Sequence, residues 1–286
     1  MSARPPAKAA SKRAARPTRA SKASAGIAEG EPAHDAKSAS TLSAAAVATP
    51  GAPRPVRRPT KGERAARRDL IETALAMSRS GLSPGRSGNV SCRWDGGMLI
   101  TPSGMAYDTL QPDDIAYVDH DGGTPARATG KPSRKPSSEW RFHLAIYGTR
   151  ADVGGVVHTH SLNATALACA HRSIPAFHYM VAAAGGHAIP LVPYATFGTQ
   201  ALSDHVVGGL AAHNACLMAN HGQIAVAGTA TAALELAHEV ETLAAQYNAL
   251  LASGLTPHII DDEEMARVLT LFKGYGQRAQ ESGDGP

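Results

Sequence analysis

Val156-Val157-His158-Thr159-His160 constrains this chain more than any other stretch. A valine-rich apolar run of this length reads as a buried strand, and residues two apart on a strand share a face. His158 and His160 therefore converge on one point. His221, in Asn220-His221-Gly222, ends a second apolar run, Ala215 to Ala219. Three imidazoles brought together by strands suit a zinc ion that keeps one coordination position open for chemistry. In a chain of thirteen histidines a His-x-His pair has a competing reading as satisfied core histidines. His120, His171, His187, His205, His213 and His258 lack such spacing and read as surface or core residues.

The surroundings strengthen the metal reading. Ser137 and Ser138 follow Pro136 at the expected start of a helix. Unpaired N–H groups and the positive dipole end make that place attractive to an anion, although a plain N-cap explains two serines equally well. Glu139 comes next. It is either a carboxylate placed as general base or an acid favoured in a helix first turn. Gly85 to Asn89 and Ser103-Gly104 are further small, donor-rich turns, and three such turns together can wrap a phosphate.

Charge divides the chain. Residues 1–61 carry twelve Lys or Arg against three Asp or Glu, a net of +9, whereas residues 62–286 carry sixteen against twenty-one. The basic segment is Ala, Pro, Ser, Lys and Arg, too poor in large apolar residues to offset the entropy of ordering. It is expected to be a disordered tail. A transit-peptide character and polyanion attraction are the competing readings. The remainder, 62–286, is expected to be one domain. Its mild acidity disfavours nucleic-acid binding, and no segment is long and apolar enough to span a membrane. Cys92, Cys169 and Cys216 are few, distant and odd in number, which suggests reduced thiols in a cytoplasmic protein.

Helical spacing predicts a helix over 62–80, with Leu70, Ile71, Ala74, Leu75 and Met77 on its apolar face and Gly81 as its stop. Further helices are expected from Ser137 to Gly148 (Trp140, Leu144 and Tyr147 on one stripe), Asn163 to Ala170 capped by Ser161, Ala230 to Ser253, and Glu263 to Arg278. Strands are expected after Asn89 and at Met98–Thr101, Ile115–Val118, Val153–His158, Ile189–Val192, Ala215–Met218 and Ile224–Ala227. Residues 119–135 read as a surface loop. The fold class is α/β, a single layered domain with a central mixed, mainly antiparallel sheet flanked by helices.

From about Arg64 to Arg278 the chain resembles the class II, metal-dependent aldolases of the fuculose-phosphate aldolase and adducin superfamily. The resemblance rests on Ser87-Gly88-Asn89-Val90-Ser91, Leu99 to Gly104, Pro136 to His143, Val157 to His160, Ile174 to Met180, Ala182 to Gly186, Pro193 to Thr199, Asn220-His221-Gly222 and Phe272 to Gly276, all in the family's order. It implies that His158, His160 and His221 bind Zn²⁺, with Mn²⁺ or Co²⁺ as substitutes. Glu139 would ligate the resting metal and then serve as acid/base. Asn89, Ser103, Gly104, Ser137 and Ser138 would hold a substrate phosphate. Tyr179 would reach a neighbouring subunit's site, and Tyr275 would help close the site. The resemblance further implies a homotetramer with sites between subunits, and cleavage of a ketose 1-phosphate to dihydroxyacetone phosphate and a short aldehyde. Arg86 departs from the family's phosphate turn, where a small hydroxyl residue is usual. Ser103 replaces a threonine, and Asn220 stands where a histidine precedes the third ligand.

Overall fold

The computed structural model describes residues 60–85, 87–125 and 133–272. Its elements run α1 (Lys61–Arg79), β1 (Asn89–Trp94), β2 (Gly97–Ile100), β3 (Ala116–Val118), α2 (Trp140–Thr149), β4 (Gly155–Thr159), α3 (Leu162–Cys169), β5 (Leu191–Val192), α4 (Gln200–Gly209), β6 (Ala215–Met218), β7 (Gly222–Ala227), α5 (Ala230–Ala252) and α6 (Asp262–Phe272). The seven strands form one sheet in the order β3-β2-β1-β4-β7-β6-β5, antiparallel throughout except for β5 beside β6. The expected mixed, mainly antiparallel α/β layering is therefore what the chain adopts. The tail 1–59, Arg86, residues 126–132 of the loop and Tyr275 lie outside the described residues.

The strands are apolar in both alternations because both sheet faces are covered. Val157, Leu217 and Ala225 pack under α1, α3, α5 and α6. Val156, Cys216, Met218, Ile224 and Val226 pack under α2 and α4. On β1, Val90 joins the first layer, which sends Asn89 and Ser91 to the α2 side. His158 falls on that side too, two residues from Val156. Asn89 sits directly opposite His158 in the β1–β4 register, and Ile224 faces His158 from β7.

Several local expectations shift. The second helix begins at Trp140, with Glu139 at the N-cap, three residues later than its sequence suggests. Ser137 is held instead by the sheet edge: its N–H bonds to the Thr101 carbonyl at 3.1 Å. The buried face of α2 is Phe142, His143, Ile146 and Tyr147, while Trp140 and Leu144 are only half-buried. Ser161 stands at the N-cap of α3 but makes no capping bond. Glu241 of α5 does so, accepting from the Asn163 and Ala164 N–H groups at 2.8 and 2.9 Å. Helix α4 and the 3₁₀ helix Tyr179–Ala184 are additions that hydrophobic spacing does not predict.

Candidate active site

Strand β4 ends at Thr159, leaving His160 just beyond it, and β7 begins immediately after His221. The turn from β6 into β7 must pass close to the end of β4. A Cβ on Gly222 would collide with the Thr159 carbonyl oxygen, so only glycine lets the two segments approach. Gly88 is similarly constrained, at φ +83°, with a built Cβ 2.6 Å from the His158 carbonyl oxygen. These two glycines draw His221 and Asn89 onto the end of β4.

The result is a cluster of four ligating groups. Donor atoms of Glu139, His158, His160 and His221 all lie within 4.8 Å of one another. The three imidazole centroids are 4.8 to 5.0 Å apart. His158 is fully buried, and its Nδ1–H donates to the Gln223 carbonyl at 2.8 Å. That bond settles Nδ1–H on the backbone and turns Nε2 toward the other ligating groups. His158 Nε2 and His160 Nε2 are 3.0 Å apart. Glu139 Oε2 is 3.3 Å from His158 Nε2, and Oε1 is 3.0 Å from His221 Nε2. Yet Oε1 is buried with no well-directed donor aimed at it. Ligating atoms from four residues thus converge on one point, the arrangement a metal ion needs. The donor set fits a divalent metal.

Two of the groups, Glu139 and His160, are held in their ligating forms, while the Glu139 carboxylate and the Gln223 carbonyl raise His158 against the opposing effect of its burial. Burial alone would raise the carboxyl of Glu139, but the adjacent His158 and His221 rings hold it far below the usual carboxylate range. Burial and the neighbouring His158 and His221 push His160 down to about 4. A carboxylate and a neutral imidazole are the forms that ligate metal.

Beside the cluster opens a cavity of about 450 Å³. Asn89, Ser103, Gly104, Ser137 and Ser138, the five residues expected at a phosphate, all line it, together with Glu139, His160 and His221. The buried His158 completes the metal cluster from beneath. Tyr179 does not line it; its ring is half-exposed at the start of a 3₁₀ helix, stacked on His178. Tyr275 is outside the described residues.

Other residues at the site have no role that the sequence assigns. Tyr107 donates its hydroxyl to the Gly88 carbonyl at 2.7 Å, bracing the glycine turn. Tyr194 and Phe197 contribute exposed aromatic surface at the mouth. Asn220 lines the cavity in the left-handed region (φ +54°), its Oδ1 2.6 Å from His171 Nε2. His143, Ser91 and Tyr147 lie behind Glu139 in a buried polar chain. The spacing Glu139-x₃-His143-x₃-Tyr147 beside Asn89-x-Ser91 is a legible sign of it.

Fold and site together define an α/β domain that carries a three-histidine, one-glutamate cluster suited to a metal beside a small polar cavity. Residues 68–248 match the family described as Class II Aldolase and Adducin N-terminal domain. The chain is 48% identical over 214 residues to the L-fuculose phosphate aldolase of Escherichia coli (strain K12), covering 75% of this chain and 97% of that one. It is 49% identical over 216 residues to the 5-methylthioribulose-1-phosphate/5-deoxyribulose-1-phosphate aldolase of Rhodospirillum rubrum, covering 76% and 95%. A solved L-fuculose 1-phosphate aldolase superposes with a TM-score of 0.68 at 34% identity, covering 73% of this chain and 96% of that one. The chain belongs to the class II aldolase and adducin N-terminal domain family.

Proposed function

We propose that this chain is a metal-dependent aldehyde-lyase that cleaves L-fuculose 1-phosphate, or a similar ketose 1-phosphate, into dihydroxyacetone phosphate and L-lactaldehyde. The observation that carries this reading is the three-histidine, one-glutamate cluster opening onto a cavity lined by five small polar phosphate candidates. Relatives named as aldolases at nearly half identity support it. His158, His160 and His221 would hold Zn²⁺, with Glu139 as fourth ligand at rest. Three neutral imidazoles leave most of the ion's charge available to substrate, and Mn²⁺ or Co²⁺ would also suit the donors.

When bound, the metal supplies Lewis-acid charge opposite the negative charge that develops on the ketone oxygen, an effect worth several kcal/mol. The chain does the rest. Asn89, Ser103, Gly104, Ser137 and Ser138 grip the phosphate and hold C3 near Glu139. In the synthetic direction the Glu139 carboxylate takes the C3 proton from dihydroxyacetone phosphate. The electron pair left at C3 attacks the aldehyde carbon, and Tyr179 of a neighbouring subunit gives a proton to the aldehyde oxygen. Cleavage is the reverse. The exposure of Tyr179 away from its own cavity is what such a role in trans requires, and it supports a homotetramer with sites between subunits. Tyr275 would help close the site.

A basic segment 1–61 preceding one domain, 62–286, completes the reading. Among the described residues no helix is long and apolar enough to cross a membrane. The three cysteines are free, as suits a cytoplasmic enzyme. The substrate is a small sugar phosphate, and the acidic core favours no nucleic acid.

One relative favours a second substrate, 5-deoxyribulose 1-phosphate, since an aldolase named for it is 49% identical. A panel of ketose 1-phosphates, assayed through reduction of the released dihydroxyacetone phosphate, separates the cases. Release of dihydroxyacetone phosphate from L-fuculose 1-phosphate in preference to the others is expected. Preference for the 5-deoxy pentulose would reassign the substrate. Loss of water or epimerisation without cleavage would place the chain among the superfamily's dehydratases and epimerases. Absence of any turnover by metal-loaded protein would leave an adducin-like binding role.

A further inference from the structure

Behind Glu139 runs a chain of buried polar groups that the proposed chemistry does not use. Asn89 Nδ2 donates to Glu139 Oε2 at 2.9 Å. The amide oxygen of Asn89 meets His143 Nε2. His143 Nδ1 lies 2.7 Å from Ser91 Oγ, which lies 2.8 Å from the Tyr147 hydroxyl. Ser91 and His143 are completely buried and Asn89 nearly so. The geometry follows from two periodicities. Asn89 and Ser91 alternate on β1, and Glu139, His143 and Tyr147 succeed one another at four-residue steps along α2.

The donor directions in this chain are forced. An ionised carboxylate only accepts, so Asn89 must turn its NH₂ group toward Glu139 and its oxygen toward His143. That oxygen only accepts, so His143 carries its proton on Nε2. Nδ1 is then an acceptor, Ser91 donates to it, and Tyr147 donates to Ser91. A neutral ring offers this one donor and one acceptor. Burial pushes His143 down to about 3 despite the opposing pull of Glu139. A flipped Asn89 would press an amide oxygen against the carboxylate.

We infer that His143 is a positioning residue for the proposed lyase reaction: its Nε2–H holds the Asn89 amide in the one orientation that aims Nδ2 at Glu139, and so fixes the carboxylate beside the reacting carbon. The inference rests on the aldolase reading of the site. Packing alone would explain the stacking of His143 on Phe142, with centroids 4.8 Å apart. It would not explain a unidirectional run of hydrogen bonds that ends on the acid/base.

The test compares His143→Leu, which keeps bulk but no donor, with His143→Gln, whose amide N–H can reach the place of Nε2–H. Zinc content and deuterium exchange at C3 of dihydroxyacetone phosphate are measured on each. His143→Leu is expected to slow exchange by about 10- to 100-fold, in turnover rather than in KM, with full zinc occupancy. His143→Gln should recover most of that loss. In an Asn89→Ala background, His143→Leu should add less than about twofold, because it acts through Asn89. Wild-type exchange in zinc-loaded His143→Leu, or an undiminished loss in the Asn89→Ala background, would overturn the inference. Should His143→Leu fail to fold, Ser91→Ala carries the test. It removes the donor that sets the tautomer and should slow exchange about fivefold, and an unchanged rate would count against His143. A zinc-loaded wild-type protein that exchanges nothing at C3 would instead bring down the aldolase reading, and this inference with it.

Discussion

Replacing His158 with alanine is expected to remove the metal and the lyase activity together. His158 is the fully buried member of the cluster, pinned through Nδ1 to the Gln223 carbonyl and packed edge-on against Phe142 with centroids 5.6 Å apart. Its Nε2 has no other task than to face the other ligands. Losing several kcal/mol of Lewis-acid stabilisation should lower kcat/KM by about 10³-fold or more, since each ~1.4 kcal/mol is tenfold. Metal analysis of the purified variant should find the site largely vacant. Truncating a buried ring also leaves a cavity, which destabilises the fold. His160→Ala, at a half-buried position, is therefore the companion variant, and it should lose metal and activity while staying folded. Retained turnover in metal-free His158→Ala protein would contradict the account of the site.

Glu139→Gln is expected to separate binding from chemistry. Three histidines remain to hold the metal, so occupancy should persist. The amide cannot take a proton from C3, and exchange at C3 of dihydroxyacetone phosphate should fall by about 10²- to 10⁴-fold, the usual contribution of a placed acid/base. KM should change little, because the phosphate candidates are untouched. The local electrostatics make this variant informative. In the wild-type site the neighbouring histidines keep Glu139 ionised in spite of burial, so the residue is a ready base rather than a neutral acid. Exchange at the wild-type rate in Glu139→Gln would remove Glu139 from its proposed role.

Much of this site is legible in the order of the amino acids, and the reason is periodicity. The alternation in Val156-Val157-His158-Thr159-His160 places both histidines on one face, and the apolar pair of runs flanking Asn220-His221-Gly222 does become the adjacent strands β6 and β7. What the order of residues hides is non-local. Ser161 looks like the cap of α3, but Glu241, 78 residues from Asn163, supplies the carboxylate. Glu139 moves to the N-cap of α2 because Ser137 is captured by the Thr101 carbonyl across the sheet edge. Helix α4 is short and ends in Gly208-Gly209, so its apolar positions, Leu202 and Val206, give little signal; Thr199 accepting from the Leu202 N–H marks its start. The stripe expected on α2 rotates toward Phe142, His143, Ile146 and Tyr147 because the helix faces a polar pair on β1 as well as an apolar layer.

The proposed phosphate pocket illustrates a different limit. Each of its turns, taken singly, is an ordinary loop. Only the sheet brings Gly88-Asn89, Ser103-Gly104 and Ser137-Ser138 around one cavity, through the β1–β2 pairing and the bridge between Pro102 and Pro136. The three histidines needed one strand pairing, β4 with β7, to meet. The proposed anion site needed three segments of the chain to fold together.

Anomalous scattering from crystals of the zinc-loaded protein, recorded above and below the zinc edge, bears most directly on the whole account. One strong peak per chain is expected, within coordination distance (~2.0–2.1 Å) of an imidazole nitrogen from each of His158, His160 and His221. An active crystal form whose zinc peak lies away from those three rings, or that shows none, would contradict it.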